Sequence, residues 1–446
     1  MIASDTICAP ATAPGGAIAV IRISGPDALS AASSVCSSIT ATTTANTTHF
    51  ARIKDGDEII DEAMVSVFRA PHSYTGEDSV EISCHGSRYI INKVLELLVG
   101  HGCRMARPGE FTQRAYLNGK MDLSQAEAVA DLIASTNRAS HQMAMSQLRG
   151  HFSSELASLR DQLLHLTTLL ELELDFSDHE ELEFADRTEL IRIAQKIDNH
   201  ITNLARSFEM GQALKLGIPV TIVGKTNVGK STLLNQLLHE DRAIVSDIHG
   251  TTRDTIEDTI DIRGVQFRII DTAGLRQTTD EIEQIGIERT HQAIEKARIV
   301  LWLFDQEPTT EESHSMQSLC KGKSLIIIRN KTDLFPTTGQ TIADISISAK
   351  HGTNIQALED IILQSIDLST LNDSDFIVTN TRHYEALNNA HAHLARVLDA
   401  LATQLPADLI AEDLRLVLST LGEITGGTIT SQETLNNIFS NFCVGK

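Results

Sequence analysis

Along the first hundred or so positions, apolar residues come in short runs. Ala17–Ile23 and Ala63–Phe68 have strand length, and Ser79–Cys84 alternates apolar and polar side chains with a period of two. That alternation predicts a strand with one buried face. Ile90–Leu98 returns to three-four spacing and predicts a helix, while Ser37–Thr48, rich in Ser and Thr, predicts a loop or edge segment. From about Leu123 the texture changes. Leu123–Leu148, Ser154–Leu174 and Glu189–Leu214 carry apolar residues at helical spacing with few Gly or Pro, and each predicts a long helix. The acidic stretch Asp175–Glu183 between two of them reads as a solvated turn.

Between about Gly217 and Leu368 the period switches back and forth. Val220–Val223, Gln266–Ile270, Ile299–Phe304, Ser324–Ile328 and Ala343–Ser346 predict strands. The stretches Ser231–Leu238, Ile285–Ala297 and Ile355–Ser365 predict helices between them. Such alternation implies a parallel sheet with helices on both faces. After Asn372 the chain is helical again, over Arg382–Ala402, Leu409–Leu421 and Gln432–Phe439. The simplest arrangement is a helical domain interrupted by an inserted α/β domain, since surface loops tolerate insertions.

Length and composition narrow the class. A chain of 446 residues suggests two to four domains, and 41% hydrophobic with 22% charged residues excludes pervasive disorder or a collagen-like chain. No apolar run approaches the ~18 residues of a membrane span, and Met1–Asp5 lacks the basic stretch and apolar core of a signal peptide. A net charge of −22 argues against a DNA-coating protein, whose phosphate affinity needs dense Lys and Arg. It leaves room for a local basic patch or for a partner that supplies one. Cys8, Cys36, Cys84, Cys103, Cys320 and Cys443 form no CxxC pair, which argues against a zinc ribbon or disulfide scaffold and fits a reduced, cytoplasmic location.

The strongest chemical signal runs from Gly224 to Ser231 and fits G-x-x-x-x-G-K-[ST], after a predicted strand and opening a predicted helix. Glycines let the backbone curl so that N–H groups face phosphate oxygens. Lys230 can reach the β and γ phosphates, and the Ser231 hydroxyl can ligate Mg²⁺. Asp271, Thr272, Ala273 and Gly274 follow the next strand, where a carboxylate can hold the magnesium shell and the glycine lets an N–H approach the γ phosphate. Base choice falls to Asn330, Lys331 and Asp333. The Asp333 carboxylate can accept from both N1–H and the 2-amino group of guanine, a donor pair that adenine lacks, so the site selects GTP. The stem of Lys331 can cover the base. Ser348, Ala349 and Lys350, at the last strand, would bring the Ala349 N–H near guanine O6. With Asn227, Val228, Gly229 and Thr232 of the phosphate loop, these residues form the expected GTP contact set.

Common small GTPases resemble this segment but place Gln directly after the DxxG motif, where this chain has Leu275. An aliphatic side chain cannot orient water, so the catalytic group comes from elsewhere, with candidates in Asp280–Glu283. Asn227 lies inside the phosphate loop and pairs with a first-switch run Gly250–Asp254. It either helps hold K⁺ beside the phosphates, with carbonyls of Ser246–Thr251, or braces the loop by hydrogen bonding.

Tyr74–Asp78, Glu81, Cys84–Gly86, Arg107–Thr112, Ala115–Lys120, Asp122–Glu127 and the terminal Phe442–Lys446 together resemble one family, MnmE or TrmE, over nearly the whole chain. The resemblance implies a fold of α/β plus α class: an N-terminal α+β folate-binding and dimerisation domain (1–118) and a helical domain (119–214 and 371–446) interrupted by an inserted Ras-like P-loop GTPase domain (215–370). It implies K⁺ at Asn227, Ser246, Ile248 and Thr251, and Mg²⁺ at Ser231 and Thr252. Asp247, His249 and Gly250 join the GTP contacts, and Glu283 takes the general-base position, acting through a bridging water. It also implies that Arg22, Glu81, Lys120 and Lys446 contact 5-formyl-tetrahydrofolate. Folate's glutamate tail suits Arg and Lys. Cys443 is either a reactive thiol or a small packed residue. Ser246 departs from the Thr common in the family, and Ala13–Ala17 looks shorter than the Gly-Arg-rich run usual there.

The functional expectation is a K⁺-activated GTPase. As a homodimer it would join an FAD-dependent MnmG-type protein in a heterotetramer. Together they would install an aminomethyl or carboxymethylaminomethyl group at carbon 5 of the wobble uridine of certain tRNAs, using a folate-derived one-carbon unit. The rival is a GTP-dependent RNA or ribosome assembly factor, in which hydrolysis only times release. The acidic balance and the folate-type N-terminus favour the first.

Overall fold

The computed structural model describes residues 5–13, 15–175, 187–239, 258–270, 283–335, 341–366, 377–427, 435, 438–440, 442 and 445. The chain divides into two compact units. One comprises Met1–Ala134, Ala144–Ile201 and Glu385–Lys446, the other Ser135–Met143 and Thr202–Tyr384.

The first unit opens with a sheet built from β1 (Ile7–Pro10), β2 (Ile18–Ser24), β3 (Thr47–Asp55), β4 (Glu58–Phe68), β5 (Ser79–His85) and β6 (Arg104–Met105). Their order is β3-β4-β5-β2-β1-β6, antiparallel except where β6 lies parallel to β1. One face is apolar. Ile21 and Ile23 of β2, Val65 and Val67 of β4, and Val80 and Ile82 of β5 are buried with Ala28, Leu29 and Ala32 of helix Ala28–Val35 and Val94 and Leu98 of helix Arg88–Gly100. Period two then sends Arg22 and Glu81 to the opposite face. Helix Glu110–Leu117 follows β6.

The expected single helix over Leu123–Leu148 is instead two, Leu123–Ala134 and Arg138–Leu148. The break has a local cause. Asn137 Oδ1 accepts from the Ser140 amide at 2.8 Å and the Ser140 hydroxyl donates to the Asn137 carbonyl at 3.1 Å, so Asn137 caps a new helix start. The long helices His151–Asp175 and Ala407–Thr425 pack along each other. The second buries Ile410, Leu414, Val417, Leu421 and Ile424, one helical stripe. Helices Arg187–Leu216 and Thr381–Ala402 lie close to their expected bounds. The expected turn at Asp175–Glu183 and most of the helix Gln432–Phe439 lie outside the described residues.

The second unit holds β7 (Ile218–Val223), β8 (Asp258–Ile262), β9 (Val265–Ile269), β10 (Ile299–Phe304), β11 (Ser324–Arg329) and β12 (Ile345–Ser346), ordered β12-β11-β10-β7-β9-β8. Both faces are covered. Ile299, Leu301 and Leu303 of β10 enter one apolar cluster, while Val300 and Trp302 enter another. Flanking helices are Lys230–His239, Glu283–Lys296, Thr310–Leu319 and Ile355–Gln364. The expected parallel sheet has one exception, since β8 runs antiparallel to β9. The physical reason is the two-residue turn Arg263-Gly264, with φ of 53° and 85°. Two residues at positive φ close a hairpin and are far too few for a parallel crossover. Ser135–Met143 belongs to this unit: the Ala139 amide donates to the Gly264 carbonyl at 3.0 Å, and the Thr136 hydroxyl donates to Gln266 Oε1 at 2.9 Å. Among the described residues, no helix is long and apolar enough to cross a membrane.

Candidate nucleotide site and the Arg22 cluster

In the second unit, β7 has β10 on one side and β9 on the other, and both connections leave from carboxyl ends. Such a reversal of strand order opens a crevice at the carboxyl edge of a parallel sheet, where ligands bind. The chain leaving β7 curls through Gly224, Asn227 and Gly229, at φ of 153°, 62° and 100°, before helix Lys230–His239 begins. Successive amides and a helix N-terminus therefore converge on one point, a ready anion cradle. Lys230 folds back over it, and its ammonium donates to the carbonyls of Gly224 at 2.7 Å and Lys225 at 2.8 Å. Burial pushes its pKa down, so an approaching phosphate would meet a cation short of solvent.

Asn330 ties the base loop to this cradle. It is buried, its Nδ2 donates to the Val228 carbonyl at 2.8 Å, and its Oδ1 accepts from the Ala349 amide at 2.9 Å. A Cβ at Gly229 would collide with that Nδ2, so only glycine lets the clamp close. The Ala349 amide, expected to face guanine O6, is thus engaged within the site. Asp333 Oδ1 accepts from the Ser348 hydroxyl at 2.6 Å, and His351 Nε2 stands 3.7 Å from its other oxygen. The Ser348 hydrogen bond, ahead of the nearby His351 and Lys350, holds the Asp333 carboxyl below the usual range. It is therefore an anion, as an acceptor for two N–H donors must be.

Three loops from separate strand ends thus meet: Gly224–Ser231, Asn330–Asp333 and Ser348–Lys350. Val228 is buried beneath them, and Ser231 lies in the first turn of the helix with Thr232 beside it. Of the other expected residues, Ser246, Asp247, Ile248, His249, Gly250, Thr251 and Thr252 lie outside the described residues, as do Asp271, Thr272, Ala273 and Gly274. Glu283 is the first residue of helix Glu283–Lys296, and its side chain is not among those described. No set of three or more His, Cys, Asp or Glu able to hold a metal occurs among the described residues. Among the described residues, the Ser231 hydroxyl and the oxygens of the Asn227 turn are of the kinds that suit Mg²⁺ and K⁺.

The first unit holds a second cluster. Arg22 of β2 stands opposite Glu81 of β5, and Arg22 Nε donates to Glu81 Oε1 at 2.9 Å. A second Arg22 nitrogen donates to the Gly445 carbonyl at 3.3 Å, which brings the end of the chain to the face of the sheet that carries Arg22. The guanidinium lies 5.2 Å from the Tyr74 ring centre and 5.7 Å from that of Phe111. Tyr74 donates to or accepts from the Thr112 hydroxyl at 2.8 Å, and burial pushes its pKa up, so it stays a neutral phenol. Lys120 donates to the Pro71 carbonyl at 3.0 Å, at the start of the loop that carries Tyr74. Lys446 and Cys443 lie outside the described residues. The structure therefore joins Arg22 to Glu81 directly and sets Lys120 on the neighbouring loop. The aromatic pair under Arg22 was not singled out from sequence, although both residues sit inside quoted motifs. The charges of Arg22, Glu81 and Lys120 are of the kinds that the glutamate tail and ring donors of a folate would need.

The comparisons agree with this architecture. A family model described as the GTP-binding protein TrmE N-terminus matches residues 6–120, and one described as the MnmE helical domain matches residues 123–443. Proteins named tRNA modification GTPase MnmE are similar over their full length. The one from Phocaeicola vulgatus is 51% identical over 100% of both chains. That from Parabacteroides distasonis is 51% identical over 99% of this chain and 100% of its own. That from Porphyromonas gingivalis is 49% identical over 99% and 98%. A solved structure titled for the FeoB G-domain from Methanococcus jannaschii covers 33% of this chain at 23% identity with a TM-score of 0.23, too slight a likeness to carry an argument. Matched from one end to the other by relatives at about half identity, the chain belongs to the MnmE family.

Proposed function

We propose that the chain hydrolyses GTP in the crevice of its second unit and couples that turnover to modification of wobble uridine in certain tRNAs. The single observation that carries the nucleotide half is the Asn330 clamp, which fastens a phosphate cradle to a base-reading carboxylate. The tRNA half rests on kinship with proteins named tRNA modification GTPases.

The residues divide the work. Amides of the Gly224–Ser231 loop bind the phosphates, and Lys230 swings from its carbonyl partners onto them. Asp333 accepts from the guanine edge and Lys331 covers its face. Ser231, with Thr252, would hold Mg²⁺, and Asn227, with Ser246, Ile248 and Thr251, would hold K⁺. Bound there, these ions would supply positive charge to offset the negative charge that develops on the phosphates. Glu283 activates water, replacing the glutamine that Leu275 displaces. Arg22, Glu81, Lys120 and Lys446 bind 5-formyl-tetrahydrofolate or a related folate, the source of a one-carbon unit. The active assembly is a cytoplasmic homodimer joined to an FAD-dependent MnmG-type partner, and it adds an aminomethyl or carboxymethylaminomethyl group at carbon 5.

Two measurements test this. In a deletion strain, mass spectrometry of tRNA nucleosides should show the wobble uridine bare, and an unchanged nucleoside profile would defeat the modification role. With purified protein, GTP turnover should fall by at least about tenfold when K⁺ is replaced by Na⁺. Equal rates would remove the cation from the account.

A further inference from the structure

Strands β10 and β11 pair in parallel register, with Phe304 beside Arg329, and the Asn330 amide donates to the Phe304 carbonyl at 2.8 Å. Asp305 and Lys331 therefore leave the sheet next to each other at its carboxyl edge. Lys331 holds φ at 61°, a left-handed state that a lysine rarely adopts. The turn is closed by amides of Leu334 and Phe335, each donating to the Lys331 carbonyl at 3.0 Å. That backbone sends the side chain back across the crevice, where its ammonium meets Asp305 Oδ2 at 2.8 Å. The two side chains are only 28% and 27% exposed, so the lysine stem lies along the loops rather than in free solvent.

We propose that Asp305 is a positioning residue for guanine recognition, fixing the Lys331 ammonium so that the aliphatic stem is laid out for the base before nucleotide arrives. The inference deepens the reading of this crevice as a guanine-nucleotide site and rests on it. A free lysine side chain samples many rotamers, and ordering it beforehand spares the ligand that entropic cost. Asp305 is fit for the task. The hydrogen bond from Lys331 is the main cause holding its carboxyl below the usual range, so it stays an anion at neutral pH. As an ion pair still partly open to solvent it adds little to stability. Its effect is on where Lys331 points.

The test is a double-mutant cycle on the full chain, with GDP affinity measured for the wild type, Asp305→Ala, Lys331→Ala and the double variant. Asp305→Ala should weaken GDP binding about fivefold to tenfold, raise KM for GTP and leave kcat unchanged. In the Lys331→Ala background the same change should add nothing. Asp305→Asn, which keeps the shape and a weaker acceptor, should fall between. A loss of equal size in both backgrounds would overturn the proposal, because Asp305 would then act on fold rather than on Lys331. So would unchanged affinity in Asp305→Ala or Asp305→Asn while the wild type binds GDP. Failure of the wild type to bind GDP at all would instead overturn the nucleotide reading, and this proposal with it.

Discussion

Taking a carboxylate out of water costs several kcal/mol unless its charge is met, and Glu110 is only 2% exposed. Arg104 meets it through two nitrogens at 2.6 and 3.0 Å, Arg114 Nη2 approaches at 3.4 Å, and the Arg107 amide donates at 2.8 Å. Burial alone would raise its pKa. The Arg104 hydrogen bonds and the other donors outweigh burial and bring it down to about 2. A depressed folded-state pKa means the stabilisation is complete above the ordinary carboxylate value of 4.5 and drains away as pH falls from there toward about 2. Urea unfolding should therefore show Glu110→Ala less stable than the wild type by about 3–5 kcal/mol near pH 7. The gap should close as the buffer is taken down through pH 3. A gap independent of pH would mean that the carboxylate is not the source.

Residues with a motif around them were legible at this scale. Lys230, Asn330 and Asp333 stand at fixed offsets after strands, because phosphate and base recognition need those spacings. Asp305 stands in no such motif, and although Glu110 lies within Arg107–Thr112, nothing in that motif points to Arg114 or Asp5. Their partners are set by tertiary packing, with Asp5 more than a hundred positions from Arg114, and no local pattern encodes that.

At the scale of elements, the hairpin β8–β9 and the segment Ser135–Met143 depend on one glycine. Gly264 has φ of 85°, and a Cβ there would lie 2.8 Å from Arg138 Cβ. Gly264→Ala should cost about 1–3 kcal/mol from backbone strain and displacement of Arg138. It should also speed hydrogen exchange at the Ala139 amide, whose acceptor is the Gly264 carbonyl. Unaltered melting and exchange would show that the turn tolerates a side chain. The long helices and the buried strand β10 were legible because each repeats its period over many residues. The break at Asn137 was not, since apolar spacing continues on both sides and only the Asn137–Ser140 capping exchange interrupts it. β6 spans two residues, too few to show any period, and β3 begins in a Thr-rich stretch with only Ala51 and Ile53 buried on its inner face.

For the molecule as a whole, the helical period could announce an inserted α/β body but not that Ser135–Met143 would join it, because a period says which face is buried and not against what. Under the proposed function, a net charge of −22 would leave tRNA phosphate binding to a local patch or to a partner. The central claim is that reading guanine in the crevice is what drives wobble-uridine modification. It is tested most directly by nucleoside analysis of tRNA from cells whose only copy carries Asp333→Asn, a change that removes the anionic acceptor but keeps the side chain's shape. The account predicts bare wobble uridine, as in the deletion strain, from a protein that melts near the wild-type temperature. Fully modified uridine in cells whose purified variant no longer binds GDP would contradict it.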